Sequence, residues 1–205
     1  MNALRKTLFC LLLLSASGLA AAADAWRLDP VHTRVLFKVD HAGFSKALGL
    51  LPDVQGELRF DPADWASARL EVRIPLARLQ IGDDAWRDKL LTRSFFDAAN
   101  FPEARFVSTR VEPVDVERAR VFGQLTLRGV AHDVVLDVRL NKLARHPLTF
   151  RRTAGFSASA ELDRRDFGMD AWPNVIGRKV QLEIQAEATR TRNDQEQDDA
   201  DPEHR

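Results

Sequence analysis

The sequence predicts an all-β fold, a closed antiparallel barrel of eight strands, on three observations. Eight stretches of roughly seven to nine residues alternate apolar with polar side chains, so that one face meets a core and the other meets water. The signals between them are mostly short turns rather than long helices. Pro75, Pro102, Pro113, Pro147 and Pro173 fall between these stretches or at their ends, where a missing amide donor does little harm.

The chain opens with Arg5 and Lys6, an apolar run from Leu8 to Leu14, and small residues from Ser15 to Ala23. This pattern reads as a secretory signal peptide over residues 1–23, and the apolar run is too short to span a bilayer. A lipid anchor on Cys10 fits poorly, because Phe9 stands where a small residue is needed. Without this segment the chain has no cysteine for a disulfide, a zinc site or a nucleophile. It then carries 28 basic and 30 acidic residues, a formal charge of −2, and no global field that favours nucleic acid.

Residues 24–190 are long enough for one sizeable core. Strands are expected near residues 33–41, 54–60, 69–74, 104–111, 121–127, 134–140, 154–162 and 180–188. The cleanest rows are Leu70, Val72 and Ile74; Val134, Leu136, Val138 and Leu140; and Val180, Leu182, Ile184, Ala186 and Ala188. The stretch around Phe106 is less regular, since Val107 and Val111 lie on the opposite parity, as beneath a helix or at a partner interface. Two helical inserts interrupt the strands. Asp83 or Asp84 can cap a helix beginning near Ala85, with Trp86 and Leu90 on one face. A shorter helical turn is expected after Ser45, with Leu48 inward. Beyond Thr189 the pattern dissolves, and residues 191–205 hold six acidic residues and two arginines, an acidic tail expected to be disordered. The tail either shields a basic patch or aids solubility.

Eight strands suit a barrel or a two-sheet sandwich. Gly56, Gly123, Ala154, Ala158, Ala160, Ala186 and Ala188 take inward positions that a solid sandwich fills with large aliphatic residues. A barrel of eight strands is about wide enough for one slender ligand. Its wall would be apolar, built from Val35, Phe37, Val39, Phe60, Leu70, Val72, Ile74, Leu125, Leu127 and Phe156. The same small residues also suit barrel taper or a closely packed helix, so a hollow and a filled interior both stay open at this point.

Chemistry-bearing motifs are sparse. His32 and His41 lie nine residues apart on one extended segment with opposite parity, roughly 30 Å from each other, and cannot share a metal. His132, His146 and His204 sit in separate segments without ligand spacing. The sequence has no G-x-S-x-G, G-x-G-x-x-G or P-loop motif. No cofactor, metal site or catalytic residue is expected. Arg87-Asp88 on the helical insert can hold a polar head group at a barrel mouth or form a surface ion pair. Arg151, Arg152, Arg164, Arg165, Arg178 and Lys179 gather in the late connections, either facing anionic lipid or phosphate or as scattered loop charge.

Several segments together resemble the YceI-like family over about Trp26 to Ala188. They are Trp26-Arg27-Leu28-Asp29-Pro30-Val31-His32-Thr33 leading to Phe37 and His41; Gly56 to Phe60; Arg87-Asp88-Lys89-Leu90 followed by Phe95-Phe96-Asp97; Phe101-Pro102 with Phe106 and Ser108; Gly123 to Val130; and Arg165-Asp166-Phe167-Gly168. The resemblance implies a lipocalin-like barrel with a central apolar tunnel, in a periplasmic or secreted protein that binds polyisoprenoid or similar long-chain lipid. Thr33 replaces the usual Ser, and Leu50-Leu51-Pro52-Asp53 replaces a glycine-and-phenylalanine approach to the next strand. The expected role is transport, storage or sequestration of one lipid, in contact with the apolar wall named above and with Phe106. His32, Arg87 and Asp88 are expected at the polar end. A transient membrane contact and a homodimer are compatible with this reading. The alternatives are an enzyme using His32 or His41 as acid or base, and a stress-response interaction module with a solid barrel.

Overall fold

The computed structural model describes residues 23–191. Apart from Ala23 and Thr191, the expected signal peptide and acidic tail lie outside the described residues.

Among the described residues ten strands form one antiparallel sheet: β1 Asp24–Leu28, β2 Arg34–His41, β3 Ser45–Leu51, β4 Gln55–Asp61, β5 Asp64–Pro75, β6 Glu103–Pro113, β7 Arg118–Leu127, β8 Val130–Arg145, β9 Arg152–Asp163 and β10 Ile176–Arg190. The order β1-β4-β5-β6-β7-β8-β9-β10 returns to β1, which closes an eight-stranded barrel. The remaining two, β2 and β3, lengthen the wall on one side. At its far end β10 pairs with β1, Leu28 facing Ala188. Along its first half it pairs with β2, Leu182 facing Phe37. The corner Asp29–Thr33 thus joins two strands that share one edge of β10.

Two expectations change here. The segment after Ser45 is not a helical turn but strand β3, and Leu48 points outward, 52 % exposed. Register explains it: Val35, Phe37 and Val39 face Leu51, Gly49 and Ala47 across the ladder. The Phe37 ring occupies the space a Cβ on Gly49 would need. The irregular parity around Phe106 has a local source at Val111. A register shift between Ser108 and Arg110 flips the side chains, so that Ala104, Phe106 and Ser108 face inward before it and Val111 after it.

The long connection between β5 and β6 carries α1, Asp84–Leu91. Asp83 caps it as expected, its carboxylate accepting from the Trp86 amide at 2.8 Å. The outer edge of β3 bridges to this connection through Leu50 and Gln80. β2, β3 and the α1 segment therefore complete the wall at one end, the mouth. At the other end the barrel is shut by aromatic packing. Phe60 is 1 % exposed and meets Trp65 and Phe156 edge-on at 5.0 and 5.5 Å. Trp26 seals the closing strand, its indole N–H donating to the Phe60 carbonyl at 3.1 Å.

Candidate functional site: an apolar tunnel with a polar mouth

The barrel encloses two adjoining cavities of about 250 and 140 Å³. The larger opens at the mouth and the smaller lies toward the aromatic plug. Val35, Ile74, Leu125 and Leu182 line both, so the two chambers of the tunnel adjoin at a shared waist. An apolar cavity of roughly 150 Å³ stays dry and can take a benzene-sized guest. The larger chamber exceeds that volume.

The wall residues expected from sequence divide between the chambers. Phe37, Val39 and Leu127 line the upper one. Phe60, Leu70, Val72, Phe106 and Phe156 line the lower one. The small residues divide by role. Ala158 and Ala186 border the lower chamber and leave it open. Ala154 and Ala188, both 0 % exposed, pack shut at the plugged end. At Gly123 the space a Cβ would need is filled by the Phe106 ring, and at Gly56 by Leu28 and the β5 backbone.

The polar end differs from expectation. Arg87 donates to Asp84 at 2.7 Å and to Asp88 at 2.9 Å on the outer face of α1, and neither Arg87 nor Asp88 lines a cavity. Their turn of helix aims them at each other, while Trp86, Lys89 and Leu90 face the tunnel. His32 also lies outside, at the corner between β1 and β2. Its Nδ1 meets the Asp29 carboxylate at 2.8 Å, which raises the imidazole above its ordinary value near 6.5. Burial pushes the Asp29 carboxyl up, but bonds from the His32 ring and the Val31 amide outweigh it and hold the group below its ordinary range. Ligating atoms of Asp29, His32 and Glu187 converge within 4.8 Å there. Asp29 and His32 stand three residues apart in the chain, whereas Glu187 arrives only through the β1–β10 register.

The polar side chains on the upper wall are Asp40, His41, Lys89 and Arg164. The His41 ring lies tilted against Trp86 at 5.5 Å, and Lys89 sits 5.3 Å over the Trp172 ring. Arg164 is only 4 % exposed. Its guanidinium donates to the carbonyls of Gly177 at 2.9 Å and Ile176 at 3.0 Å, and also to that of Met169. Burial lowers its pKa. This anchor was visible in sequence only as one of six late cations.

Three of the motif segments, those around α1, the β7–β8 turn and Arg165–Gly168, meet at the mouth. Arg128 donates to the carbonyls of Phe167 at 3.2 Å and Arg93 at 2.9 Å, and also to that of Gly168. Gly168 ends a 3-10 turn with φ 70°, a left-handed conformation suited to glycine. One arginine thereby ties the α1 segment to the loop before β10.

The family model of the YceI-like domain matches residues 26–188. This chain belongs to the YceI-like family. A relative named UPF0312 protein in Pseudomonas savastanoi pv. phaseolicola is 35 % identical over 190 residues, covering 90 % of this chain and 97 % of the relative. Among solved structures, BcnA of Burkholderia cenocepacia superposes with a TM-score of 0.72 at 23 % identity, over 79 % of this chain and 99 % of that one. A polyisoprenoid binding domain from Saccharophagus degradans, implicated in plant cell wall breakdown, superposes with a TM-score of 0.64 at 15 % identity, over 82 % and 99 %. These two likenesses concern the fold.

Proposed function

We propose that this YceI-like chain encloses one polyisoprenoid or other long-chain amphiphilic lipid in its tunnel, in the periplasm, for transport, storage or sequestration. The observation that carries the reading is the two-chambered apolar tunnel, open at one end and plugged by Trp26, Phe60 and Trp65 at the other. Burying one methylene is favourable by about 0.8 kcal/mol, so ten enclosed carbons offer roughly 8 kcal/mol before the entropy of binding is counted. An unfilled apolar chamber forfeits dispersion contacts that a hydrocarbon chain restores.

The polar head rests at the mouth beside Lys89, Arg164, His41 and Asp40. Catalysis is not needed for this role. The likeness to a polyisoprenoid binding domain agrees with a chain-shaped ligand, and the apolar leader in the sequence agrees with export. Native mass spectrometry after detergent-free purification tests the proposal. One lipid per chain is expected, either co-purified or taken up from added polyprenol, and absence of both outcomes contradicts it.

A further inference from the structure

At the plugged end, opposite the mouth, the β8–β9 hairpin runs past its neighbours. β7 pairs with β8 only as far as Arg139, and β10 pairs with β9 only from Thr153. The six residues of β8 beyond Arg139 carry the tip about 20 Å past the end of β7. From Asn141 to Thr153 the sequence contains four cations, Lys142, Arg145, Arg151 and Arg152, and no carboxylate. All four are exposed, and among the described residues none forms a salt bridge. Three cations elsewhere on this end are paired, Arg118 with Asp115, Arg139 with Glu117, and Arg190 with Asp24, whereas Arg59 and Arg69 beside the plug stand singly on separate strands.

The tip between these cations is apolar and ordered. Leu148 is 82 % and Phe150 69 % exposed. Phe150 holds φ at 55°, a left-handed conformation that bulky side chains rarely adopt. Hydrogen bonds fix it there: the Phe150 amide donates to the His146 carbonyl at 2.8 Å, the Leu148 amide to His146 Nδ1 at 3.2 Å, and Arg145 to the Phe150 carbonyl at 3.4 Å. The turn spends backbone strain to present two apolar side chains to solvent between basic shoulders.

We propose that the β8–β9 hairpin docks the protein on an anionic bilayer, with Leu148 and Phe150 entering the acyl boundary and Lys142, Arg145, Arg151 and Arg152 meeting the headgroups. Charge complementarity selects an anionic surface, and the apolar tip selects a bilayer over nucleic acid, whose phosphates offer nothing to bury against. Docked this way the tunnel mouth faces away from the membrane. The inference is separate from the tunnel reading, because no residue of the hairpin tip lines either cavity.

Sedimentation of the full chain with vesicles of phosphatidylcholine alone, or containing one third phosphatidylglycerol, tests it. Binding is expected only to the anionic vesicles, weakening as salt rises. Reversing Arg145, Arg151 and Arg152 to Glu is expected to lower partitioning on the order of a hundredfold. Leu148→Ser with Phe150→Asn is expected to lower it about tenfold or more, asparagine tolerating the left-handed backbone. Circular dichroism and polyprenol uptake in the absence of vesicles should stay unchanged in both variants. Three results overturn the proposal. One is absence of binding at low salt. Another is equal binding to both vesicles. The third is anionic binding that the Leu148/Phe150 variant retains in full, as electrostatic attraction to any polyanion would give.

Discussion

The two ends of this barrel solve opposite problems with the same strands. At the plugged end, closure is apolar and direct: β1 pairs with β10 and β4, and Trp26, Phe60 and Trp65 fill the space between them. At the mouth, closure is polar and made of loops. Arg128 and Arg164 bind six backbone carbonyls between them and tie together the connections around the rim. Alternating sequence alone produces a tube.

Substitutions at the two ends should therefore fail differently. Phe60→Ala removes the centre of the plug and is expected to destabilise the fold by about 3–5 kcal/mol, read as a lowered urea midpoint. Arg164→Met leaves one buried and two partly buried carbonyls without this donor and is expected to cost about 2–4 kcal/mol, with protease sensitivity rising first in the loop before β10. Gly49→Ala places a Cβ against the Phe37 ring, and about 1–3 kcal/mol is expected as the ring shifts into the upper chamber. A crystal structure of that variant should show the chamber narrowed.

The smallest effect is electrostatic. A raised His32 pKa contributes stability that is complete below the ordinary imidazole value and fades as pH climbs through the folded value. A lowered Asp29 pKa contributes stability present above the ordinary carboxyl range and lost as pH falls through the folded value. The pair is thus most favourable between those two ordinary values. NMR titration should place His32 above 6.5 in the native protein and return it toward 6.5 in Asp29→Asn. An unchanged titration would show that the contact is not formed in solution. Arg87→Ala, by contrast, should leave both stability and polyprenol uptake unchanged, since its ion pairs lie outside the tunnel.

Much of the wall was legible because strand periodicity directly states which side chains face inward: Leu70, Val72 and Ile74 read the same in sequence and structure. The misreadings have local causes. Ser45–Leu51 lacks β-branched residues and looks helical, while its strand identity comes from pairing with β2. Val111 changes face through a bulge that no composition announces. Asp24–Leu28 is too short to register as an alternating row, yet it closes the ring. The polar mouth was the least legible part, because Arg164 looks like any loop cation until three carbonyls are seen around it. Arg87-Asp88 drew attention by its place on the helical insert, but helix phase turns the pair outward.

The central claim is one continuous tunnel through the waist formed by Val35, Ile74, Leu125 and Leu182. Uptake of polyprenols of graded length by the native chain and by Leu125→Trp tests it most directly. The native chain should take up short and long polyprenols, whereas the blocked variant, still folded by circular dichroism, should retain the short and reject the long. Identical length profiles for the two proteins, or no uptake by the native chain at any length, would contradict the account.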